Sequence, residues 1–323
     1  DGNRFVFVTD FLGGGALGES GPDGSIRPPR SEESVKIEAG QLVVKDGSYI
    51  IKIAEPMDEV LYLDHLKLEV VDHPANVSVY PDERFVFANP QPTQELLAFP
   101  NRYFPKRATN HNGTDVTALI RERDRRAPDF SLRSWLGYAE DHELIMKFDD
   151  LPVVEQQRWF VVLAGWTEYP YPESMYAATR AGVALRGPVL ERMVGSEWNA
   201  VCDLGFPAGL PRVMTRELPA GSVSPGTFRI RTNMQVYCDQ IYLAPVASIE
   251  SVGKQTTLNV SRADLAFRGF MKEIHPDGRL PVAYDDAKSE PVAVTRWQGN
   301  LTRLGEVTEL LTAADDRFVL CGP

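Results

Sequence analysis

Apolar and polar residues alternate along most of this chain, in short runs separated by turn-forming residues. Between 35 and 87 come VKIEAG, QLVVKDG, SYIIKIAE, VLYLDHLKLEVVD and NVSVYPDERFVFA. Each has the period of two that a half-buried strand requires. The DG, EPMDE and DHPAN stretches between them are turn-like. The texture resumes after 129 with HELIMKFDD, QRWFVVLAGWTEYPYP, PVLERM, WNAVCDLGFPAGLP and RVMTRELP. RFVFVTD near the start and SRADLAFRG (261–269) near the end add further strand-like runs, and RLPVAYDDAKSEPVAV with the second VTELL…DRFVL run closes the chain. Within the second of these blocks, WFVVLAGW (159–166) is the longest apolar run and suits a buried strand.

Helical signals are few. TDVTALIRERDRR (114–126) predicts a short helix capped by Thr114, with Leu119 and Ile120 as its apolar face. YPYPESMYAATRAG (169–182) holds a second short one. PQPTQELLAFPNRYFP (90–105), broken by prolines, reads as a long ordered connection. Parallel βαβ units would need repeated helices of roughly 10–15 residues, and the pattern has none. The 24 prolines and 25 glycines gather between the apolar runs. The expected class is all-β: tandem β-sandwich modules, jelly-roll or galactose-binding-like, with a few short helices.

A repeat organises the prediction further. IKIAEPMDEVLYLDHLKLEVVDHP (51–74) parallels FRIRTNMQVYCDQIYLAPV (228–246), with Met57 on Met234, Asp64 on Asp239, Leu66 on Ile241 and Leu68 on Leu243. DVTALIRERDRR (115–126) parallels EVTELLTAADDRF (306–318) in the same order. Two related modules follow from this, 35–128 and a larger 129–323, preceded by a Gly-, Pro- and charge-rich linker within 1–34. FLGGGALG (11–18) lacks the G-x-G-x-x-G spacing of a dinucleotide site and reads as a turn.

Charge removes one class of partner. The net charge of −11 argues against nucleic acid, and the densest basic stretch, RERDRR (121–126), carries its own acids. No run approaches the roughly 18 apolar residues of a membrane span. The three cysteines, an odd number, form no disulfide framework. The abrupt start at Asp1 and the end at CGP read as cuts from a longer protein. Sequons at Asn76, Asn112, Asn259 and Asn300 are glycan acceptors on exposed turns if the source is eukaryotic and secreted.

Candidate chemistry is sparse. Asp64, His65, Asp72 and His73 lie close in sequence, with 64 and 72 on one strand face and 65 and 73 on the other. Two histidines without a third ligand do not define a metal site, and the simpler reading bonds the His73 ring to backbone before Pro74. The repeated carboxylates Asp64 and Asp239 read as structural acceptors of backbone N–H groups. GWTEYPYPESMY brings Trp166, Glu168, Tyr169, Tyr171, Glu173 and Tyr176 onto a loop after a strand. Aromatics there can stack on a sugar ring or grip a partner chain, with Glu168 and Glu173 receiving hydroxyls. Cys202 has no histidine near it in sequence to act as base. Nucleophile-elbow, zincin, C-x-x-C and P-loop motifs are all missing. DDAKSE and PDGR (276–279) have the composition of calcium loops without the spaced ligands, and read as solvated turns. No cofactor is predicted; calcium is the one these acidic turns admit.

Several phrases together resemble a known family. FVTDFLGGGALG, EVLYLDHLKLEVVDHPANVSVYPDERF, GFPAGLPRVMT, FRIRTNMQVYCDQIYLA and LTRLGEVTELLTAADDRFVLCGP look like the C-terminal region of secreted or periplasmic FG-GAP-type propeller-repeat proteins with an ASPIC/UnbV-like segment. The resemblance implies that DGNRFVFVTD is the tail of a preceding repeat. It also implies an extracellular, cell-surface or periplasmic location and an adhesion-like or assembly role, with no active-site residues to carry over. The leading expectation is a non-catalytic structural or binding module of a larger protein. Its partner would be a protein, a glycan or other domains of the same chain, and homo-oligomers fit as well. The alternative is a metal-assisted or carboxylate-based hydrolase of polysaccharide, which needs Asp64, His65, His73, Glu168 or Asp239 to converge in one cleft.

Overall fold

The computed structural model describes residues 5–10, 19–20, 26–27, 32–54, 65–86, 90–152, 157–207, 209–265, 269–274, 283–290 and 308. In chain order the first strands are β1 (Glu19–Ser20), β2 (Ile26–Arg27), β3 (Val44–Lys45), β4 (Ser48–Tyr49), β5 (Lys67–Asp72) and β6 (Ser78–Pro81). β7 (Leu96–Phe99), β8 (Arg107–Asn110), β9 (Tyr138–Phe148), β10 (Trp159–Thr167), β11 (Val189–Val194) and β12 (Glu197–Asp203) follow. The last are β13 (Arg212–Glu217), β14 (Gly226–Met234), β15 (Val236–Pro245), β16 (Lys254–Asn259), β17 (Phe270–Ile274) and β18 (Ala283–Glu290). Among the described residues the only α-helices are α1 (Pro172–Arg180) and the single turn α2 (Ile249–Val252). The protein is all-β, and no described helix is long and apolar enough to cross a membrane.

Two antiparallel sheets carry the core: a five-stranded one, β12-β11-β14-β9-β8, and a three-stranded one, β13-β10-β15. Alternation decides how they pack. Leu144, Met146 and Phe148 of β9 and Phe228 and Ile230 of β14 share one buried cluster with Trp159, Val161 and Leu163 of β10 and Ile241 and Leu243 of β15. The other parity of β10 and β15 is buried too. Phe160, Val162, Tyr242 and Ala244 pack on Tyr80, Leu97 and Phe99 of the β6–β7 hairpin. β10 is therefore covered on both faces, which is why its sequence is a nearly unbroken apolar run. On the far side of the hairpin, Val77, Val79 and Ala98 meet Ile249 of α2.

Residues 226–245 form one run of chain that changes sheet at Gln235: β14 belongs to the five-stranded sheet and β15 to the three-stranded one. The polar residues at this corner are buried but satisfied. Asn233 Oδ1 accepts from Arg186 N (2.7 Å), its Nδ2 donates to Ala184 O (2.9 Å), and Thr232 Oγ1 donates to Arg186 O (2.7 Å). The second copy of the repeat is this corner. Of the first copy, only β5 is a described strand; Met57 and Asp64 lie outside the described residues. Ladders cross the 128/129 boundary, since β8 pairs with β9 and β5 with β16.

Some elements differ from expectation. The helix anticipated at 114–126 is a single 3-10 turn, Thr117–Ile120. The Asp115 carboxylate takes both the N–H and the hydroxyl of Thr117 (3.0 and 2.7 Å), and Thr117 Oγ1 accepts from Ala108 N (2.8 Å), tying the segment to β8 instead. The connection at 90–105 contains β7, because Leu96–Phe99 is an apolar run that pairs with β6. DDAKSE lies in β18 and not in a turn, whereas 5–10 and 261–265 are not strands. The propeller-family resemblance is also corrected: the sheets are open ladders of two, three or five strands, neither closed nor curled into blades.

Candidate functional site

The predicted site residues do not gather at one place. His65 and His73 flank β5 at opposite ends and are exposed; eight residues of extended chain separate them by roughly 26 Å. The His73 Nδ1 lies 3.0 Å from Pro74 O. Asp239 is buried on β15, where its Oδ1 accepts the backbone N–H groups of Asp124 (3.1 Å) and Arg126 (3.3 Å). Burial pushes its carboxyl up, and these backbone bonds oppose the shift. Its work is to hold the RERDRR loop against the sheet, helped by Gln240 Nε2 donating to Arg121 O (2.8 Å).

The aromatic loop is largely spent on packing. Trp166 stacks on Tyr237 at 5.1 Å between ring centroids. Tyr169 meets Phe85 and Phe206 edge-on, at 6.4 and 6.1 Å. Tyr171 precedes α1 as its N-cap, with Pro172 in the first turn, and Tyr176 on that helix is 65% exposed. The Glu168 backbone N–H bonds Gln235 O (3.1 Å) at the sheet-changing corner. Gly165 allows the Trp166 stack: β10 bulges between Ala164 and Gly165, and a Cβ at 165 would sit 2.0 Å from Tyr237 O. Of the sequons, Asn76 and Asn112 occupy exposed turns and Asn259 ends β16, also exposed; Asn300 lies outside the described residues.

The structure instead opens a recess where the two sheets part. Its floor is Leu144, Leu163, Ile230, Val236 and Cys238; its rim is Asn110, His111, Asp129, Phe130 and His142. His142 shares the inward face of β9 with Leu144, by strand alternation. Its ring lies flat on Phe130 (4.3 Å, 9° between planes), and Phe130 in turn contacts Tyr237 (4.9 Å). The His142 Nδ1 is 2.9 Å from Glu140 O. A carbonyl only accepts, so Nδ1 carries the proton and Nε2 of the neutral ring presents a lone pair. Glu143 on the opposite parity pairs with Arg229 (2.8 Å), and Arg229 bridges on to Glu191. Asp129 pairs with no Lys or Arg among the described residues.

Burial pulls the His142 pKa below its ordinary value, with His111 adding repulsion, while the Glu140 carbonyl and Asp141 oppose. The folded chain thus binds this proton less readily than the unfolded one, so the contribution to stability is complete above about pH 6.5 and is lost as pH falls through the folded value. The thermal midpoint of the wild-type chain should fall more steeply below about pH 6.5 than that of His142→Gln. Parallel slopes would show that His142 titrates as an ordinary exposed histidine. Burial also pushes the Cys238 thiol up to about 12, which keeps it neutral and poorly nucleophilic. Among the described residues no group of three His, Cys, Asp or Glu side chains is arranged to hold a metal ion.

The alternation of HELIMKFDD contains the one sequence trace of this recess, a histidine on the apolar parity of a strand. Phe130 and Asp129 carry none, because only the packing of 128–130 over the sheet edge brings them there. No family model, curated protein or solved structure matches the chain. With the open sheets, this overturns the assignment to the FG-GAP propeller and ASPIC/UnbV-like family.

Proposed function

We propose that this chain is a non-catalytic binding module: a β-sandwich, of jelly-roll or galactose-binding-like type, that receives a small apolar group in the recess between its two sheets. One observation carries the reading. The recess reaches from solvent to the shared core, with an apolar floor and a few polar groups at its rim, the usual composition of a binding pocket. A half-buried thiol held neutral and a neutral histidine without a paired acid or nucleophile suit binding better than covalent chemistry.

The test is a titration of the isotope-labelled chain with a panel of small apolar compounds and sugars, followed by amide and methyl resonances. Apolar compounds should move Leu144, Ile230 and Val236 together. Ile230→Trp fills the floor and should weaken binding at least about tenfold, at a stability cost of about 1–3 kcal/mol from overpacking. Shifts scattered away from the recess, or affinity unchanged in Ile230→Trp, would sink the proposal.

A further inference from the structure

The recess has a polarity of its own, set by which of its rim groups are already committed. Glu143 is committed to Arg229 and Asn110 Oδ1 to the backbone N–H groups of Asn112 and Thr114, both at 3.0 Å. The carboxylates flanking His142 in sequence are committed as well: Glu140 pairs with Arg133 (2.7 Å) and Asp141 with Arg186. Asn110 Nδ2 and the His111 ring keep donors at this rim, and two groups remain there as acceptors. One is the Asp129 carboxylate, exposed and without an ion-pair partner among the described residues. The other is His142 Nε2, left as a lone pair by the bond from Nδ1 to Glu140 O, on a ring braced by Phe130. Thr232, which also lines the recess, already donates its hydroxyl to Arg186 O (2.7 Å) and accepts from Met234 N (3.0 Å).

We infer that the recess takes an organic ammonium with a compact apolar body, a small alkylamine or an amine-bearing side chain, its hydrocarbon on Leu144, Leu163 and Ile230 and its N–H donors toward Asp129 and His142. This names the ligand class of the recess and rests on the binding-module reading above. An ammonium has three donors and no acceptor, which complements the Asp129 carboxylate and the His142 lone pair. An anion meets the opposite situation, an unpaired carboxylate and a histidine that burial keeps neutral. The chain's net charge of −11 adds long-range attraction for a cation. Charge-assisted bonds are roughly twice as strong as neutral ones, so the ammonium should bind about tenfold more tightly than an alcohol of the same skeleton.

The experiment titrates the whole chain with isopentylamine, isopentanol and isocaproate, which share a branched hydrocarbon body and differ in the charge of the head. The amine should bind most tightly, and Asp129→Asn should lower its affinity to that of the alcohol while leaving the alcohol unchanged. Asp129→Glu, which keeps the charge, should retain most of the preference and controls for loss of fold. If amine and alcohol bind equally, and both are weakened by Ile230→Trp, the recess is a binding site but the ammonium assignment is wrong. Preference for isocaproate also overturns it. If none of the three binds, the assignment fails, and the wider panel decides whether the binding reading falls with it.

Discussion

Asp82→Ala is expected to cost about 3–5 kcal/mol, a large part of the ~5–15 kcal/mol that holds a typical domain together. YPDER is a charged segment in sequence, yet Asp82, Glu83 and Arg84 are buried, at 5, 3 and 2% exposure. Arg84 Nη1 donates to Asp82 Oδ1 (2.9 Å) and Thr215 O (3.2 Å), and Nη2 to Pro90 O (2.9 Å). The other Asp82 oxygen accepts from Thr93 N (2.7 Å) and Thr93 Oγ1 (3.0 Å), and Thr215 Oγ1 donates to Oδ1 (3.0 Å). One ion pair therefore joins β6, the loop before β7, and β13. Burial lowers the Arg84 pKa, and Asp82, ahead of Glu83, opposes it, so removing Asp82 leaves a desolvated cation with much less compensation. Most of the expected cost is that under-compensated charge, not lost attraction. The double variant Asp82→Leu with Arg84→Met should thus be more stable than Asp82→Ala alone. Urea unfolding measures both; a loss below about 1 kcal/mol in the single variant would mean that water reaches Arg84.

Phe160→Ala is expected to cost about 3–5 kcal/mol as well, by a different route. Phe160 is 1% exposed and meets Phe99 edge-on at 5.7 Å, filling the space between β10 and the β6–β7 hairpin. Its neighbour Val161 faces the other way, into the core shared with the five-stranded sheet. The cavity should loosen one layer before the other. Amide exchange should accelerate most in Ser78–Pro81 and Leu96–Phe99, with β9 and β14 less affected. Uniform acceleration across both sheets would mean that the layers unfold as a single unit.

The strands most legible in sequence were those with buried apolar positions on at least one face. β9, β10, β13 and β15 stand out because alternation records which side of a strand is dry. The helix expected at 114–126 failed because Asp115 and Asp239 offered the backbone better partners than its own next turn. The loop of Trp166, Tyr169, Tyr171 and Tyr176 reads in sequence as a ligand surface, and the structure packs Trp166 and Tyr169 on Tyr237, Phe85 and Phe206, whose proximity no local pattern encodes. The Asp82–Arg84 pair was hidden for the opposite reason: charged residues read as solvated unless a cover is known, and here Thr93, Pro90 and Thr215 provide it.

By itself, the order of residues determined that this protein is built of strands, because a period of two and the turn residues between runs are properties of neighbours along the chain. It also determined the net charge of −11, since charge sums without reference to shape. The tertiary structure alone decided that 226–245 crosses between sheets at Gln235, that β10 lies between two layers, and that the sheets part over Ile230 to leave a recess rimmed by Asp129 and His142. Each of these joins residues tens to hundreds of positions apart, and such contacts depend on how sheets stack rather than on what any strand prefers locally.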